Sequence, residues 1–346
     1  MTNLADYTTL GLGGPAKVFV PAATEADLIE AVRAADEAGE PVLLIGGGSN
    51  LVIADDGFPG TVISIATRGV RYEPDGRGRV AMTVAAGEDW DDVVAGAVAR
   101  GLAGLECLSG IPGRAGATPI QNVGAYGQEV AEAITTVRVF DRLTGEIRII
   151  PNEACCFSYR SSLFKAGKPG RYVVLGVTFL LAQESLSMPV KYAELASELG
   201  VEIGARAGVG AVRSGVLKIR ARKGMLLNPE DPDSKSAGSF FTNPVLDEEQ
   251  FARLEATAAG PVPRFEAGDG RVKVPAAWLI EHAGFGKGYG APGRVRVSSK
   301  HTLALINADG ATTADLLTLA REIRAGVHAA FAVTLDPEPT LIGVTL

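Results

Sequence analysis

Apolar residues recur at helical spacing in the first predicted helix of the chain. Residues 24–41, TEADLIEAVRAADEAGEP, carry Leu28, Ile29 and Val32 at that spacing, begin with Thr24 and run into a glycine and a proline. Threonine is a common N-cap because its hydroxyl accepts a hydrogen bond from a free N–H group of the first turn. The pattern therefore predicts a helix that starts after Thr24 and ends near residue 39.

The helical period returns in residues 89–108, DWDDVVAGAVARGLAGLECL, and predicts a second helix there. Between the two helical segments, apolar and polar residues alternate in GTVISIA (60–66) and RVAMTVAAG (79–87), as they do in strands with one buried face. These segments do not form regular βαβ repeats. This part of the chain is predicted to be mixed α and β.

A change in composition marks a boundary near residue 222. A Pro- and Asp-rich connection, LLNPEDPDSKSAG (226–238), is followed by a new α/β segment. Its predicted helices include VPAAWLIEHAG (274–284) and TTADLLTLAREIRAGVHAAF (312–331). We expect a separate domain to begin at this boundary.

Three consecutive glycines interrupt an apolar run in PVLLIGGGSNLVIADDGF (41–58). Glycine has no Cβ, so such a turn can bring main-chain N–H groups against a diphosphate, although a plain tight turn would have the same sequence. The spacing fits neither G-x-G-x-x-G nor a P-loop, because the last glycine and the Gly-Lys-Ser/Thr are missing. Since Leu51-Val52-Ile53 is β-rich, the turn is predicted to join two extended segments.

Five glycines and two prolines fall within LSGIPGRAGATPIQNVGAYGQEV (108–130). Glycine loses the most conformational freedom on folding, so ordering this stretch as a plain surface loop would be costly. Gln121, Asn122 and Tyr126 offer hydrogen-bonding groups, and Tyr126 a flat face, which suit an aromatic heterocycle with polar edges. The two glycine stretches together favour a ligand that carries both a diphosphate and a ring system.

Composition and charge exclude some classes of protein. The chain has 346 residues, 47% of them apolar and 21% charged, with a formal net charge of −7 and a pI near 5.2. This balance is ordinary for a soluble globular protein and argues against a nucleic-acid partner. The apolar stretches are too short to span a bilayer, and no Lys or Arg precedes Lys17. We therefore expect no membrane segment, no signal peptide and a cytoplasmic location.

Cysteine and histidine positions give no sign of a metal site. Cys107, Cys155 and Cys156 have the spacing of neither a disulfide framework nor a set of metal ligands, and are predicted to be reduced thiols in the core. The three histidines lie far apart, without metalloenzyme spacing. No metal is expected.

The chain resembles the UDP-N-acetylenolpyruvoylglucosamine reductases of peptidoglycan synthesis in four segments that occur in the same order. They are IGGGSNLVIADDGFPGTVI (45–63), GLECLSGIPGRAGATPIQNVGAYGQEV (104–130), YRSSLFK (159–165) and AGSFFTNP (237–244). The two glycine stretches also resemble the wider vanillyl-alcohol-oxidase class of flavoproteins, whereas Tyr159-Arg160 and residues 238–241 point to the reductases. Tyr192, in MPVKYAEL, resembles the form of the family with a tyrosine loop.

This resemblance implies a two-step reduction. NADPH would reduce a noncovalently bound FAD, and hydride would then pass to the β-carbon of the enolpyruvyl group of UDP-N-acetylglucosamine enolpyruvate, giving UDP-N-acetylmuramate. The protein must supply an acid for the α-carbon and groups that stabilise the enolic carboxylate formed between the two transfers. The implied partners are the UDP-sugar and NADPH.

Three residues match the family's catalytic positions. Ser239 matches the proton-donating serine; outside this motif an ordinary turn or N-cap hydroxyl would be the better interpretation. Arg160 matches the arginine whose planar fork meets the substrate carboxylate, with a structural ion pair as its alternative. Glu338, between two prolines, matches the glutamate paired with that site and is expected to help stabilise the enol. Because Glu338 is distant from Ser239 in sequence, the end of the chain must return toward the flavin.

The resemblance also implies binding residues within these motifs. Substrate contacts are expected from Tyr192, which would close over the nucleotide from a loop, from Lys223 at the diphosphate, and from Asn243. Plain surface or turn positions are their alternatives. His282 and Thr340 stand where some relatives carry glutamine and arginine, so no contact is transferred to them. Cofactor contacts are expected from Ile45, Gly46, Gly47, Gly48, Ser49, Asn50, Leu51, Ile111, Pro112, Ile120, Gln121, Gly124, Ala125 and Tyr126.

The implied fold is α+β, with two FAD-binding subdomains of the vanillyl-alcohol-oxidase (PCMH) type and a C-terminal α/β substrate domain. A noncatalytic flavin- or nucleotide-binding protein is one alternative, and the presence of Ser239, Arg160 and Glu338 argues against it. A flavin oxidase of the wider class is another. Such oxidases often tether the flavin to His or Cys near the first glycine turn, and residues 41–60 contain neither. The expected domain bounds are 1–70 with 333–346, 71–222, and 223–332.

Overall fold

The computed structural model describes residues 1–167 and 169–346 and divides them into two compact units. The central unit comprises Ala16–Gly47 and Pro59–Arg222. The terminal unit comprises Met1–Pro15, Gly48–Phe58 and Lys223–Leu346, so it contains both ends of the chain. The three-part division expected from the sequence stays a prediction.

Helices are interspersed among strands along the described residues. The helices are α1 (Glu25–Glu37), α2 (Trp90–Ala99), α3 (Ala193–Leu199), α4 (Val209–Arg222), α5 (Glu248–Thr257), α6 (Ala276–His282) and α7 (Thr313–Phe331). The strands are β1 (Ala16–Ala22), β2 (Val42–Ile45), β3 (Leu51–Ile53), β4 (Phe58–Ile65), β5 (Val70–Pro74), β6 (Arg79–Ala85), β7 (Leu102–Ala103), β8 (Gly124–Ala125), β9 (Gln128–Glu129), β10 (Ile134–Asp141), β11 (Glu146–Pro151), β12 (Tyr172–Gln183), β13 (Ser236–Ser239), β14 (Val245–Leu246), β15 (Phe265–Glu266), β16 (Val272–Lys273), β17 (Val295–Val297), β18 (Ala304–Asn307) and β19 (Thr340–Ile342).

Helix α1 begins where the sequence predicts. The Thr24 hydroxyl accepts a hydrogen bond from the Asp27 N–H group at 3.1 Å, and the Asp27 carboxylate accepts one from the Thr24 N–H group at 3.0 Å. This reciprocal pair satisfies two N–H groups that a helix otherwise leaves free at its start. The prediction of Thr24 as the N-cap is confirmed.

The second predicted helix is shorter than expected. Helix α2 ends at Ala99, and Gly101 adopts a φ of +65°, a left-handed conformation that glycine tolerates and that commonly ends helices. The chain continues as β7, which pairs with β12, and then as a 3-10 turn over Glu106–Leu108. The helix prediction is therefore wrong for the second half of 89–108, because the chain after Gly101 forms a short strand on the sheet and then a 3-10 turn.

The central unit contains a small sheet and a large one. In the small sheet the strand order is β1-β4-β2, and in the large sheet it is β11-β10-β12-β6-β5, with β7 beside β12. Apolar residues of the large sheet pack on α2, where the rings of Trp90 and Phe179 lie 5.7 Å apart between centroids. The glycine turn after β2 and the second glycine stretch both extend from this scaffold.

The terminal unit has its own apolar core. Its sheets run in the orders β13-β18-β17 and β14-β16-β15, and β19 pairs in parallel with β3. Phe240 and Phe241 are each 1% exposed and pack with α7 in this core. The predicted strand at 51–53 and the predicted helices within 274–284 and 312–331 are confirmed.

The cysteines differ in exposure. Cys107 and Cys155 are buried, and burial raises the pKa of both thiols to about 12. Cys156 is exposed, so the prediction that all three lie in the core is wrong there: its φ of +50° places it at the end of a short 3-10 turn. Within residues 1–167 and 169–346, no helix combines the length and apolar character needed to cross a bilayer.

A buried carboxylate closes the β10–β11 hairpin. The Asp141 side chain is fully buried and accepts hydrogen bonds from Arg171 Nε at 2.8 Å and Nη2 at 2.6 Å, and from Arg148 at 3.3 Å. The hydrogen bonds from Arg171, aided by the Leu143 N–H group, lower the pKa of the Asp141 carboxyl to about 2 despite its burial. The hairpin is therefore held by an ionised acid.

We expect Asp141→Asn to lower the free energy of unfolding by about 3 kcal/mol at pH 7, because it removes the buried negative charge that two guanidinium groups share and replaces one acceptor oxygen with an NH₂ group. A depressed pKa stabilises the fold above the ordinary value near 4, and this contribution is lost as the pH falls toward about 2. The difference between parent and variant should therefore shrink in that window. Urea unfolding at several pH values measures it, with Asp269→Asn, at an exposed ion pair, as the control. Equal stability of parent and Asp141→Asn at pH 7 would contradict the prediction.

Candidate functional site

The second glycine stretch is fixed to the large sheet by main-chain contacts. The Trp90 N–H group donates to the Gly113 carbonyl at 3.1 Å, and the Gly116 N–H group donates to the Ala86 carbonyl at 2.9 Å. A Cβ on Gly116 would lie 2.5 Å from the Ala86 Cβ. Glycine is required at 116 because the stretch packs directly on the end of β6.

Within the central unit, the two glycine stretches touch each other. A Cβ added to Gly47 would lie 2.7 Å from the Gly113 Cα, and one added to Gly46 would lie 3.2 Å from Arg114 Cγ. No ordinary side chain fits at the first of these distances. Glycine is therefore required at 47 by a neighbouring main chain, a reason that the sequence argument did not foresee.

This pair of turns has the donor chemistry that a nucleotide diphosphate needs. Among the described residues, the N–H groups of Gly47 and Gly113 donate to no protein acceptor. Both glycines are half-buried, and neither carries a side chain that would hold an anion away. The central unit thus fits the diphosphate of a dinucleotide cofactor at its glycine turns.

The other predicted cofactor residues of the central unit differ in exposure. Ile45 is fully buried at the end of β2, whereas Ile120 is 37% exposed. Ile111 is half-buried and packs against the core of the large sheet. Pro112 is buried to a similar degree, as are Gln121 and Ala125. The other positions therefore expose some surface to a ligand, whereas Ile45 exposes none.

Asn122, considered a source of ligand hydrogen bonds, is used within the protein. It is 1% exposed and has a φ of +47°. Its Nδ2 donates to Glu129 Oε2 at 2.7 Å and to the Ser158 carbonyl at 3.1 Å, and its Oδ1 accepts from the Ala131 N–H group at 3.1 Å. The amide therefore joins the second glycine stretch to the segment that carries Arg160.

Arg160 occupies the tip of a tight turn in the central unit. Ser158 and Ser161 exchange two main-chain hydrogen bonds of 3.1 Å, and Arg160 between them has a φ of +54°. Its Nη2 donates to the Gly124 carbonyl at 2.9 Å, and a Cβ on Gly124 would lie 3.2 Å from Arg160 Nη1. The structure thus brings a predicted catalytic residue onto a predicted cofactor residue. Non-glycine residues with left-handed backbones are often found at functional sites.

Tyr126 and Tyr192 also meet in the central unit. Their rings are perpendicular, with centroids 5.4 Å apart. Tyr192 is 41% exposed, whereas burial raises the pKa of Tyr126 to about 12. The hydroxyl of Tyr126 is hydrogen bonded to Arg220, a buried residue of α4. A predicted substrate residue therefore rests on the ring of a predicted cofactor residue.

Arg220 belongs to a charged network that the sequence argument missed. Its Nε donates to the Gly110 carbonyl at 3.0 Å, and the Gly110 N–H group donates to Asp91 Oδ1 at 2.5 Å. Asp91 is also bound through both oxygens by Arg213, at 2.6 and 2.8 Å. Burial opposes ionisation of Asp91, but the hydrogen bonds from Arg213 and Gly110 outweigh it and lower the pKa of the carboxyl. Both main-chain polar groups of Gly110 are thereby fixed.

In the terminal unit, a main-chain hydrogen bond joins Glu338 to Phe240, the residue after Ser239. The Glu338 N–H group donates to the Phe240 carbonyl at 2.9 Å, one residue beyond Ser239. Asn50 Nδ2 donates to the Glu338 carbonyl at 3.3 Å, and the Thr340 N–H group donates to the Asn50 carbonyl at 2.9 Å. The end of the chain therefore lies between the serine strand and the turn that follows the three glycines.

The first glycine turn continues into the terminal unit at Gly48. This glycine has a φ of +60°, and a Cβ there would lie 1.8 Å from the Tyr7 carbonyl oxygen. Ser49 is half-buried, and Leu51 pairs with Thr340 in the β3–β19 ladder. The conformation of the turn after Gly48 is thus set by the N-terminal segment and by β19.

The two remaining predicted substrate residues, Lys223 and Asn243, both belong to the terminal unit. Lys223 is half-buried and directly precedes Gly224, which has a φ of +64°. The Asn243 Oδ1 accepts the Ala276 N–H group at 2.9 Å and so caps the start of α6. Asn243 therefore has a structural role through its oxygen.

His282 and Thr340, to which no contact was transferred, both lie in the terminal unit. The His282 ring stacks on Trp278 with centroids 3.9 Å apart, and its Nδ1 lies 2.8 Å from the Trp278 carbonyl oxygen. Thr340 is exposed and begins β19. In residues 1–167 and 169–346, no three His, Cys, Asp or Glu side chains form a group suited to a metal ion.

Comparisons with known proteins identify the family. A family model described as the C-terminal domain of UDP-N-acetylenolpyruvoylglucosamine reductase matches residues 229–342, and one described as an FAD binding domain matches residues 15–150. The UDP-N-acetylenolpyruvoylglucosamine reductase of Streptomyces coelicolor is 58% identical over 99% of this chain and 90% of that protein. The chain belongs to the UDP-N-acetylenolpyruvoylglucosamine reductase family. The member from Thermobifida fusca is 54% identical over 99% of this chain and 97% of that protein.

A crystal structure from the reductase family supports the same assignment. That of UDP-N-acetylenolpyruvylglucosamine reductase from Thermus caldophilus aligns with a TM-score of 0.67 at 26% identity, covering 99% of this chain and 97% of that chain. The predicted α+β class, with a flavin-binding fold and a C-terminal reductase domain, is confirmed by this alignment and by the two family matches.

The sequence motifs pointed to candidate site residues that lie within the motifs themselves. They did not locate Arg220, because its partners Gly110 and Tyr126 lie about a hundred residues earlier in the chain. Glu106 was missed although a signal existed, since it is an acid inside the apolar run GLECL and is fully buried. A single acid in such a run calls for buried hydrogen-bond donors.

Proposed function

We infer that the chain uses NADPH and FAD to reduce the enolpyruvyl group of UDP-N-acetylglucosamine enolpyruvate to UDP-N-acetylmuramate in peptidoglycan synthesis. The observation that carries this inference is 58% identity to a named reductase over nearly the full length, together with the FAD-binding match. Bound FAD supplies the hydride-transfer chemistry. The chain's own residues bind and orient the cofactor and the substrate, and protonate the substrate.

Ser239 is the proposed acid for the substrate α-carbon. A serine hydroxyl is a weak acid, so it must be held close to the carbon and act on a strongly polarised enolate. Two features support a fixed position: Ser239 pairs with Ala304 in the β13–β18 ladder, and the Phe240 carbonyl accepts the Glu338 N–H group. Glu338 is the proposed partner that helps stabilise the enol.

Arg160 is the proposed contact for the enolic carboxylate. A planar guanidinium can bind a carboxylate through two parallel hydrogen bonds and favours the form with more negative charge. Its Nη2 is held by the Gly124 carbonyl, and the turn that carries it is braced by Asn122. This bracing supports an oriented fork rather than a mobile surface arginine.

We propose that the glycine turns hold the FAD diphosphate and that the cofactor is noncovalent. The free N–H groups of Gly47 and Gly113 support the first part, and the lack of His or Cys in residues 41–60 supports the second. Tyr192, Lys223 and Asn243 are the proposed substrate residues. The enzyme would act in the cytoplasm, where the nucleotide cofactors are available.

The proposed function predicts the colour and turnover of the purified protein. It should be yellow, and acid precipitation should move the colour into the supernatant because the flavin is not covalently attached. NADPH should be consumed in proportion to added UDP-N-acetylglucosamine enolpyruvate, with very slow consumption in a control without this sugar. Colourless protein would favour a noncatalytic binding protein, and colour that stays in the pellet would favour an oxidase of the wider class.

A further inference from the structure

Glu106 is a fully buried acid that joins two distant segments of the central unit. Its Oε2 accepts the Gly104 N–H group at 2.6 Å, which closes a local turn. Its Oε1 accepts the Met188 N–H group at 2.7 Å, 82 residues further along the chain. Met188 lies at the start of the segment that carries Tyr192, so the carboxyl anchors this segment to the core.

The anchored segment, residues 184–208, is braced internally. It leaves the sheet after β12 and returns at α4. The Ser187 N–H group donates to the Ala207 carbonyl at 2.6 Å, and the Val190 N–H group donates to the Ala205 carbonyl at 2.9 Å. These bonds join the outgoing and returning chains, so a change at the base of the segment would be transmitted to Tyr192.

The segment has other attachments, among them the ion pairs of Glu198 with Lys218 and Arg222 of α4. Lys191 forms an ion pair with Glu132 at 3.4 Å, and both side chains are about half exposed. Exposed ion pairs contribute little because water screens them. Apolar packing of Val190 and Leu195 on Cys107 favours contact but does not fix one orientation. The hydrogen bond to Glu106 is buried and directional, and displacing Met188 would leave a buried carboxyl oxygen without this donor.

We propose that Glu106 is a positioning residue for substrate binding, which holds residues 184–208 in the position where Tyr192 meets its ligand. This inference rests on the proposed role of Tyr192 in the reductase reaction. Glu106 acts through the main chain of Met188 and touches neither substrate nor cofactor. Its loss should affect the step that uses the sugar nucleotide and leave reduction by NADPH unchanged.

The test is Glu106→Gln in the FAD-loaded enzyme. Glutamine has nearly the same shape, but its NH₂ group only donates, so in either orientation of the amide a donor faces the N–H group of Gly104 or Met188 and the buried anchor is weakened. If the segment is docked for about a tenth of the time, the KM for UDP-N-acetylglucosamine enolpyruvate rises about 10-fold, because apparent affinity falls with the competent fraction. The rate of flavin bleaching by NADPH and the kcat should stay within about twofold.

Trypsin cleavage reports the segment independently of catalysis. Cleavage after Lys191 and Arg206 should be at least about 10-fold faster in Glu106→Gln, because proteolysis follows the open population. Saturating sugar nucleotide should restore protection. The matched control is Glu132→Gln, which removes one negative charge from the exposed ion pair on the same segment and should leave KM and cleavage near those of the parent.

A KM and cleavage pattern equal to the parent's would overturn the inference, as would equal losses in both half-reactions or cleavage throughout the chain. If the variant does not fold, hydrogen exchange of the parent decides: peptides that contain the Met188 amide should be protected, and exchange at the rate of a free loop would refute the anchor. The proposed function fails separately if the parent itself does not oxidise NADPH with the sugar. In that case the cleavage and exchange results still test the anchor.

Discussion

Ser239→Ala should leave NADPH-driven bleaching of the FAD absorption almost unchanged and slow its recovery with the enolpyruvyl substrate by about 10²–10⁴-fold, the usual cost of removing a general acid. The two half-reactions should differ because Ser239 is proposed to act only in the second, after hydride has been transferred to the substrate. Stopped-flow absorbance, with NADPH and the sugar nucleotide added in separate experiments, measures each half-reaction.

Two variants control this experiment. Ser239→Cys retains the shape and offers a more acidic proton, so part of the reoxidation rate should return. Ser236→Ala removes a hydroxyl from the same strand, where its oxygen accepts the Gly238 N–H group at 3.3 Å, and should change neither half-reaction by more than a few fold. Equal slowing of both half-reactions in Ser239→Ala would indicate lost folding or flavin binding. Normal turnover would remove Ser239 from the mechanism.

The hydrogen bond that brings Glu338 next to the strand of Ser239 shows how much of the site the sequence could predict. Local motifs located both residues, and the chemistry required the chain end to return, but no pattern in the sequence gives the register of that return. It is set by hydrogen bonds between residues about a hundred positions apart, such as Glu338 N–H to the Phe240 carbonyl. The fold class could be predicted, whereas the register could not.

Asn122 and Arg220 show more clearly what cannot be predicted from the sequence. Each is a polar residue in or near a motif, and the sequence cannot tell whether its hydrogen bonds go to ligand or to protein. Asn122 donates to Ser158, and Arg220 donates to Gly110, both through contacts fixed only by tertiary packing. The second half of the helix predicted over residues 89–108 is wrong for a related reason, because Gly101 turns the chain and Leu102 then pairs with β12 of the large sheet.

Gly47→Val should weaken retention of FAD, with affinity at least 10-fold lower than in the parent, equivalent to about 1.4 kcal/mol. Even a bare Cβ would lie 2.7 Å from the Gly113 Cα, and the branched γ-carbons of valine add to this overlap. The two glycine turns would have to separate, which moves the N–H groups of Gly47 and Gly113 out of the arrangement proposed for the diphosphate. Flavin absorbance after gel filtration and titration with FAD measures the loss.

Loss of FAD supports the proposal that the glycine turns hold the cofactor only if the variant protein still folds. Gly47→Ala is the milder variant, and Gly210→Ala is its matched control, because a Cβ at 210 meets no atom within 4 Å in the same unit. Parent-like circular dichroism with weakened FAD binding in Gly47→Ala, and parent-like binding in Gly210→Ala, is the expected pattern. If Gly47→Val binds FAD as tightly as the parent, the glycine turns do not hold the cofactor. The overlap of valine with Gly113 must move the two turns apart, so a cofactor held by them could not bind with unchanged affinity.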